Sequence, residues 1–190
     1  MMNVYINNPH TQCSPGGVWG ERTEYTDIGR FLNRLYGETE KYDSINCIMC
    51  NFPKIPEIGE NDIFLSFHRS SDMKSCASSG AAVMVKSESD AAVQYKAYRL
   101  LEALCGEDGF RYRGVHTYTD LSPFKSVEKS RSPFTFLFTL GYIDNEGDNR
   151  VFDGFSHKLI KNFAYKLNEI IKETENEVSS SFSKASFRGA

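Results

Sequence analysis

The sequence predicts an α/β fold: a single three-layer domain with a twisted, largely parallel central sheet of about five to six strands flanked by helices. Three observations carry this reading. Short apolar runs rich in β-branched and aromatic residues recur along the chain, longer segments place apolar residues at helical spacing, and the two kinds alternate. Alternation of strands with helices points to parallel strands joined by helical crossovers. The 190 residues suffice for one domain with a full core, and no internal repeat divides them.

The elements follow in order. "NVYI" (3–6) reads as a buried strand ending at "NNPH", and "TQCSPGGVWGE" as a Gly/Pro/Ser loop. "TEYTDIGRFLNRLYGE" carries Ile28, Phe31, Leu32, Leu35 and Tyr36 on one helical face. "SINCIMCNF" (44–52), "DIFLSFH" (62–68) and "AAVMVK" (81–86) read as further strands. A helix is expected over about 89–105, with Ser87 or Ser89 as its N-cap. "FRYRGVHTYTDLSPFKSVEKS" reads mostly as loop, "FTFLFTLGYI" as a fifth strand, and about 155–172 as a closing helix. The domain is expected to span 1–173. Residues 174–190 lack apolar periodicity and read as a tail, ordered either by the domain or by a protein partner.

Composition narrows the function. With 40% hydrophobic and 25% charged residues, the chain is ordinary globular protein, and its net charge of −3 excludes a general nucleic-acid binder with a basic face. No apolar run reaches the ~18 residues of a membrane span. The start "MMNVYINNPH" lacks the basic segment and long apolar stretch of a signal peptide. Five cysteines, an odd number, point to free thiols. Cys47 and Cys50 form a CxxC, but no second one exists, and the pair sits in a strand, where cysteine packs as a small hydrophobe.

Two histidines follow strands directly, His10 after "NVYINNP" and His68 after "DIFLSF", and Glu24 leads a helix between them. Parallel strands gather their C-terminal ends along one edge, so the three can converge there. Two histidines and a glutamate form a catalytic zinc set that leaves a fourth position for water. Taken singly, each of the three reads equally as a surface hydrogen-bonding group.

The wider order is more specific. A strand, a histidine, a Pro/Gly loop and a helix-leading glutamate open the chain ("VYINNPH", "CSPGGVWGE", "TEYTDIGRFLNRL"). A strand with a Ser-x-His ending and a glycine before a short strand come next ("DIFLSFHRSSD", "SSGAAVMV"). A helix and an Arg-Gly stretch follow ("AAVQYKAYRLLEAL", "RYRGV"), then a Pro-led strand with a Gly-aromatic pair, an Asn and an Asp ("PFTFLFTLGYIDNEGD"), then a final helix. Over roughly residues 3–172 the chain thus resembles the zinc-dependent N-acetylmuramoyl-L-alanine amidases of the amidase-3 type, found in bacterial autolysins and phage endolysins.

The resemblance implies Zn2+ held by His10, Glu24 and His68, with Glu21 a competing middle ligand. It implies hydrolysis of the amide between N-acetylmuramic acid and L-alanine, with peptidoglycan as the partner. The pair Arg111 and Arg113 reads as a contact to the acidic peptide stem, Arg113 foremost, or equally as surface charge. The resemblance also implies synthesis in a bacterial cytoplasm and action at the cell wall or within a phage particle. One position departs from the pattern. The family carries its general-base glutamate at the end of the last strand, and here that position is Thr139. A threonine hydroxyl holds a water but accepts no proton at neutral pH. Three readings follow: Asp72, His116 or Asp144 takes over as base, the protein is a non-catalytic wall-binding or phage-tail subunit, or Thr139 is an inactivating substitution.

Overall fold

A computed structural model describes residues 2–73, 75–118, 130–154 and 157–186. Six strands form one sheet: β1 (Met2–Asn8), β4 (Ile45–Asn51), β5 (Ile63–Ser70), β6 (Ala81–Lys86), β7 (Tyr112–Tyr118) and β8 (Thr135–Tyr142), in the order β4-β1-β5-β8-β6-β7. β2 (Val18–Trp19) and β3 (Arg22–Thr23) make a small separate hairpin. The helices are α1 (Glu24–Thr39), α2 (Ala91–Glu102), α3 (Glu146–Asp153) and α4 (His157–Ser186). β4, β1, β5 and β8 run parallel, while β6 lies antiparallel to β8 and β7 runs parallel to β6. The mostly parallel α/β domain expected from the sequence is the one observed.

The layers follow from strand alternation. One sheet face presents Val4, Ile6, Leu65, Phe67, Val83, Val85, Phe136 and Phe138 to the buried stripes of α1, α2 and α4. Phe67 lies at its centre, with ring centroids 4.9 Å from Phe31, 5.2 Å from Phe138 and 5.9 Å from Phe163. Each such aromatic pair adds about 0.5–1.5 kcal/mol beyond the burial of its area. The opposite face is covered over one half by connecting segments, which bury Ile55 and Ile58 against Phe64, Met84, Leu137 and Cys50. Its other half stays open as a cleft.

Four local differences from the sequence reading have physical reasons. β7 was expected as loop; it is an exposed edge strand whose polar residues carry no apolar alternation. The α2 N-cap is Asp90, whose carboxylate accepts from the Val93 amide at 2.8 Å, rather than Ser87 or Ser89. α3 is an additional short helix, capped by Asn145. α4 continues past residue 173, the expected domain end, to Ser186. The domain itself orders the first part of this extension: Thr174 is buried, and Lys96 on α2 reaches Glu177 at 2.9 Å. Residues 187–190 lie outside the described residues.

Arg69, at the end of β5, ties the elements together. Its side chain is 0% exposed; it donates to the carbonyls of Leu140 at 3.2 Å and Tyr142 at 2.9 Å and pairs with Asp27 of α1 at 2.6 Å. Its guanidinium stacks 4.5 Å from the Phe152 ring of α3. Burial presses this guanidinium toward its neutral form, and Asp27 opposes that. Asp27→Asn is expected to destabilise the fold by about 3–5 kcal/mol, because it leaves a buried charge without its partner. Arg30→Ala, which removes an exposed partner of the same carboxylate, should cost under about 1 kcal/mol. Urea denaturation of both variants checks the contrast.

Candidate metal centre

The C-terminal ends of β1 and β5 and the start of α1 meet at one edge of the sheet. Asn8, the last residue of β1, fixes this junction. Its side chain accepts from the His10 amide at 3.2 Å and donates to the Tyr25 carbonyl at 3.0 Å. α1 begins where Thr23 caps the Thr26 amide at 3.2 Å. The preceding loop is bound back, with the Glu24 amide donating to the Gly17 carbonyl and the Tyr25 amide to the Pro15 carbonyl, both at 2.9 Å.

These constraints bring His10, Glu24 and His68 together, each offering a ligand atom within 4.8 Å of the others. His10 Nε2 lies 2.8 Å and His68 Nδ1 3.3 Å from Glu24 Oε1. The other carboxylate oxygen accepts from the Gly17 amide at 3.0 Å, and Oε1 also accepts from the Arg69 amide at 2.9 Å. Behind His68, its Nε2 lies 3.4 Å from Ser66 Oγ, which accepts from Asn7 at 3.0 Å. Burial acts to raise the Glu24 carboxyl, but the facing His10, His68 and Gly17 amide outweigh it and pull it down to about 2. Glu24 is therefore ionised at neutral pH, as a metal ligand must be.

The donor set fits a metal ion. His10 Nε2 is buried with no hydrogen-bond partner among the described residues; its 2.8 Å approach to Glu24 is close in distance but not in hydrogen-bond geometry. Gly16, at φ +75°, forms the wall: a Cβ there would lie 2.5 Å from Glu24 Oε2 and 2.7 Å from the His10 ring. Glu21, the competing candidate, is exposed and stands apart from this group.

The group opens into a cleft of about 520 Å³, also lined by Thr139, Ala82, Met84, Arg113, His116, Tyr118 and Tyr142. Thr139 pairs in register with His68, so its side chain shares that face one strand away, ~4.8 Å across. Among the described lining residues Glu24 is the only carboxylate. Asp144 is buried and accepts from the Asp72 amide at 2.7 Å, and Asp72 accepts from the Ser75 and Ser78 hydroxyls; neither lines the cleft. His116 does line it, but β7 is three strand steps from β5, roughly 14 Å. Trp19, in the β2–β3 hairpin, is 42% exposed and lies outside the cleft lining. Cys47 and Cys50 point to opposite sheet faces, into separate cores, and burial raises both thiols, Cys50 to about 12. They form no metal clip.

The sequence reading missed Arg69, Asn8 and Gly16. Position 69 continues the buried odd-numbered face of β5, and that was the available signal for a paired internal arginine.

No family model matches the sequence, and no curated protein matches it. Solved structures do. The fold is that of N-acetylmuramoyl-L-alanine amidases. An N-acetylmuramoyl-L-alanine amidase from Clostridium difficile 630 superposes with a TM-score of 0.72 at 13% identity, covering 92% of this chain and 97% of that one. The catalytic domain of CwlV, an amidase from Bacillus (Paenibacillus) polymyxa var. colistinus, gives 0.67 at 16%, covering 93% and 99%. The catalytic domain of the CD27L endolysin targeting Clostridia difficile gives 0.68 at 18%, covering 87% and 96%. No helix among the described residues is long and apolar enough to cross a membrane.

Gly16→Ala displaces both His10 and Glu24. It is expected to weaken metal binding at this group about 10–100-fold, the usual effect of disturbing groups that orient ligands. Equilibrium dialysis against zinc measures it.

Proposed function

We propose that this chain is a peptidoglycan amidase that holds zinc on His10, Glu24 and His68 and hydrolyses the N-acetylmuramoyl–L-alanine amide. The convergence of these three side chains at the mouth of a cleft, on an amidase fold, carries the reading. A zinc ion held there lowers the pKa of a water toward neutrality and polarises the amide carbonyl. The protein supplies the rest. The Arg69 and Gly17 amides hold the Glu24 carboxylate in place. Asn8 fixes the His10 backbone, and the Ser66 and Asn7 side chains back His68. Arg113, at the far side of the cleft, faces the peptide stem.

Proton transfer is the weak point of this site. Thr139 occupies the place beside His68 where a carboxylate would take the proton of the attacking water and return it to the leaving amine. Neither Asp72 nor Asp144 reaches the cleft, and His116 is across the sheet. The turnover of the native chain is therefore low. The same observation favours a second reading, a non-catalytic amidase-fold subunit that binds the cell wall, at the bacterial surface or in a phage tail.

The purified protein is expected to retain about one zinc per chain, as one three-ligand site requires; less than about a tenth of an equivalent by elemental analysis contradicts the site. Dye release from labelled peptidoglycan separates enzyme from binder. Thr139→Glu should raise that rate by about 10²–10⁴, the range of a general base, and His68→Ala should abolish it in either background. A native rate already high and unchanged by Thr139→Glu contradicts the placement of the base.

A further inference from the structure

Arg113 lines two cavities. One is the cleft at the metal centre; the other is an adjoining groove of about 500 Å³ bounded by Ala77, Ser78, Ser79, Arg111, Tyr112 and Arg113. A backbone irregularity makes this double placement. Ala81 pairs with Tyr112 and Val83 with Val115, so Arg113 and Gly114 together stand opposite Ala82 alone. This is a β-bulge, and Gly114 accommodates it at φ +105°. Bulges re-aim a side chain out of the regular alternation. The re-aimed Arg113 donates through Nη1 to the Tyr142 hydroxyl, and its guanidinium lies 5.0 Å from the Tyr142 ring. That contact orients the planar fork and leaves most of its donors for a ligand.

Arg111 is placed with similar economy. Its carbonyl accepts from the Ala81 amide at 2.8 Å, and a Cβ on Gly80 would lie 2.3 Å from that carbonyl oxygen. Gly80, at φ +101°, is what lets the two chain segments approach. The groove thus carries two arginines and two serines on a fixed backbone, and no carboxylate among its described lining residues. The acidic groups close by in sequence lie outside the groove lining and are hydrogen-bonded: Asp72 accepts from Ser75 and from the groove's own Ser78, Asp144 accepts through Oδ2 from Ser71 and the Asp72 amide, and Asp148 accepts from the Gly80 and Tyr142 amides.

We propose that this groove reads carboxylates on the peptide stem beyond the scissile amide, with Arg111 and Arg113 as the donors of charge-assisted hydrogen bonds. The inference rests on the amidase reading for the identity of the ligand; Arg113, shared by the cleft and the groove, joins the metal centre to the place where the stem runs on. It makes the site selective for stems with free carboxylates over stems in which these are amidated.

The test is binding, measured separately from hydrolysis. A synthetic stem peptide with free carboxylates, and the same peptide with carboxamides in their place, are titrated into the zinc-supplemented native protein by calorimetry. The free-carboxylate peptide should bind at least about tenfold more tightly, in line with a charged hydrogen-bonded pair. Arg111→Ala should remove most of that difference, weakening the free-carboxylate peptide far more than the amidated one. Equal affinities, no binding of either peptide, or an Arg111→Ala variant that keeps the full preference would overturn the proposal. Hydrolysis of peptidoglycan without carboxylate preference overturns the groove and leaves the amidase reading standing. Carboxylate-dependent binding in a protein that hydrolyses nothing does the reverse.

Discussion

The buried pair of Arg69 and Asp27 is the constraint on which the rest of the molecule depends. Both side chains are essentially without solvent, 0% and 1% exposed, so the buried Arg69 charge depends on Asp27, a carboxylate that Arg22 and Arg30 also contact. The pair fastens α1 to the end of β5, and the same guanidinium holds the carbonyls of Leu140 and Tyr142 at the end of β8. The Arg69 backbone amide meanwhile donates to Glu24. One residue therefore sets the distance between the helix that carries Glu24, the strand that carries His68 and the strand that carries Thr139. A site assembled from separate elements needs such a tie, because misplacement of about 1 Å can cost ~10²-fold in rate.

Around that tie the site is built with little freedom. Glu24 receives two backbone amides and faces two imidazoles, and Gly16 closes over it with no room for a methyl group. The metal side of the cleft is in this sense complete. The register sets the Thr139 hydroxyl opposite His68, and Glu24 is the only carboxylate among the described residues that line the cleft. Binding a metal and moving a proton are separable tasks, and the described residues of the cleft offer a donor set that could serve the first. The cleft's remaining charged and polar groups, Arg113 and His116 among them, lie across the sheet from the His10–Glu24–His68 group.

Much of this was legible in the sequence. Apolar runs marked β1, β4, β5, β6 and β8, helical spacing marked α1, α2 and α4, and strand-end placement singled out His10, Glu24 and His68. What stayed hidden has physical causes. β7 is an edge strand whose Tyr112, Arg113, His116 and Thr117 carry no apolar period, so nothing in its pattern opposed a loop. The reversed direction of β6 is a matter of long-range pairing, which local pattern does not encode. α3 carries charge and a glycine through its first turn and depends on the Asn145 cap. The extension of α4 docks through Lys96 and Glu177, a polar contact that apolar periodicity cannot reveal. Arg69 looked like the first residue of a charged loop because its partner lies 42 positions away, in α1.

X-ray absorption at the zinc edge on the purified, zinc-loaded chain tests the central claim most directly, since it reports the atoms that hold the metal without requiring activity. Two imidazole nitrogens and a carboxylate oxygen from the protein, with no sulfur, are the expected neighbours, and His68→Ala should remove one of the imidazoles. A sulfur neighbour, a shell of light atoms without imidazole, or a spectrum unchanged by His68→Ala would contradict the claim that His10, Glu24 and His68 form the metal centre.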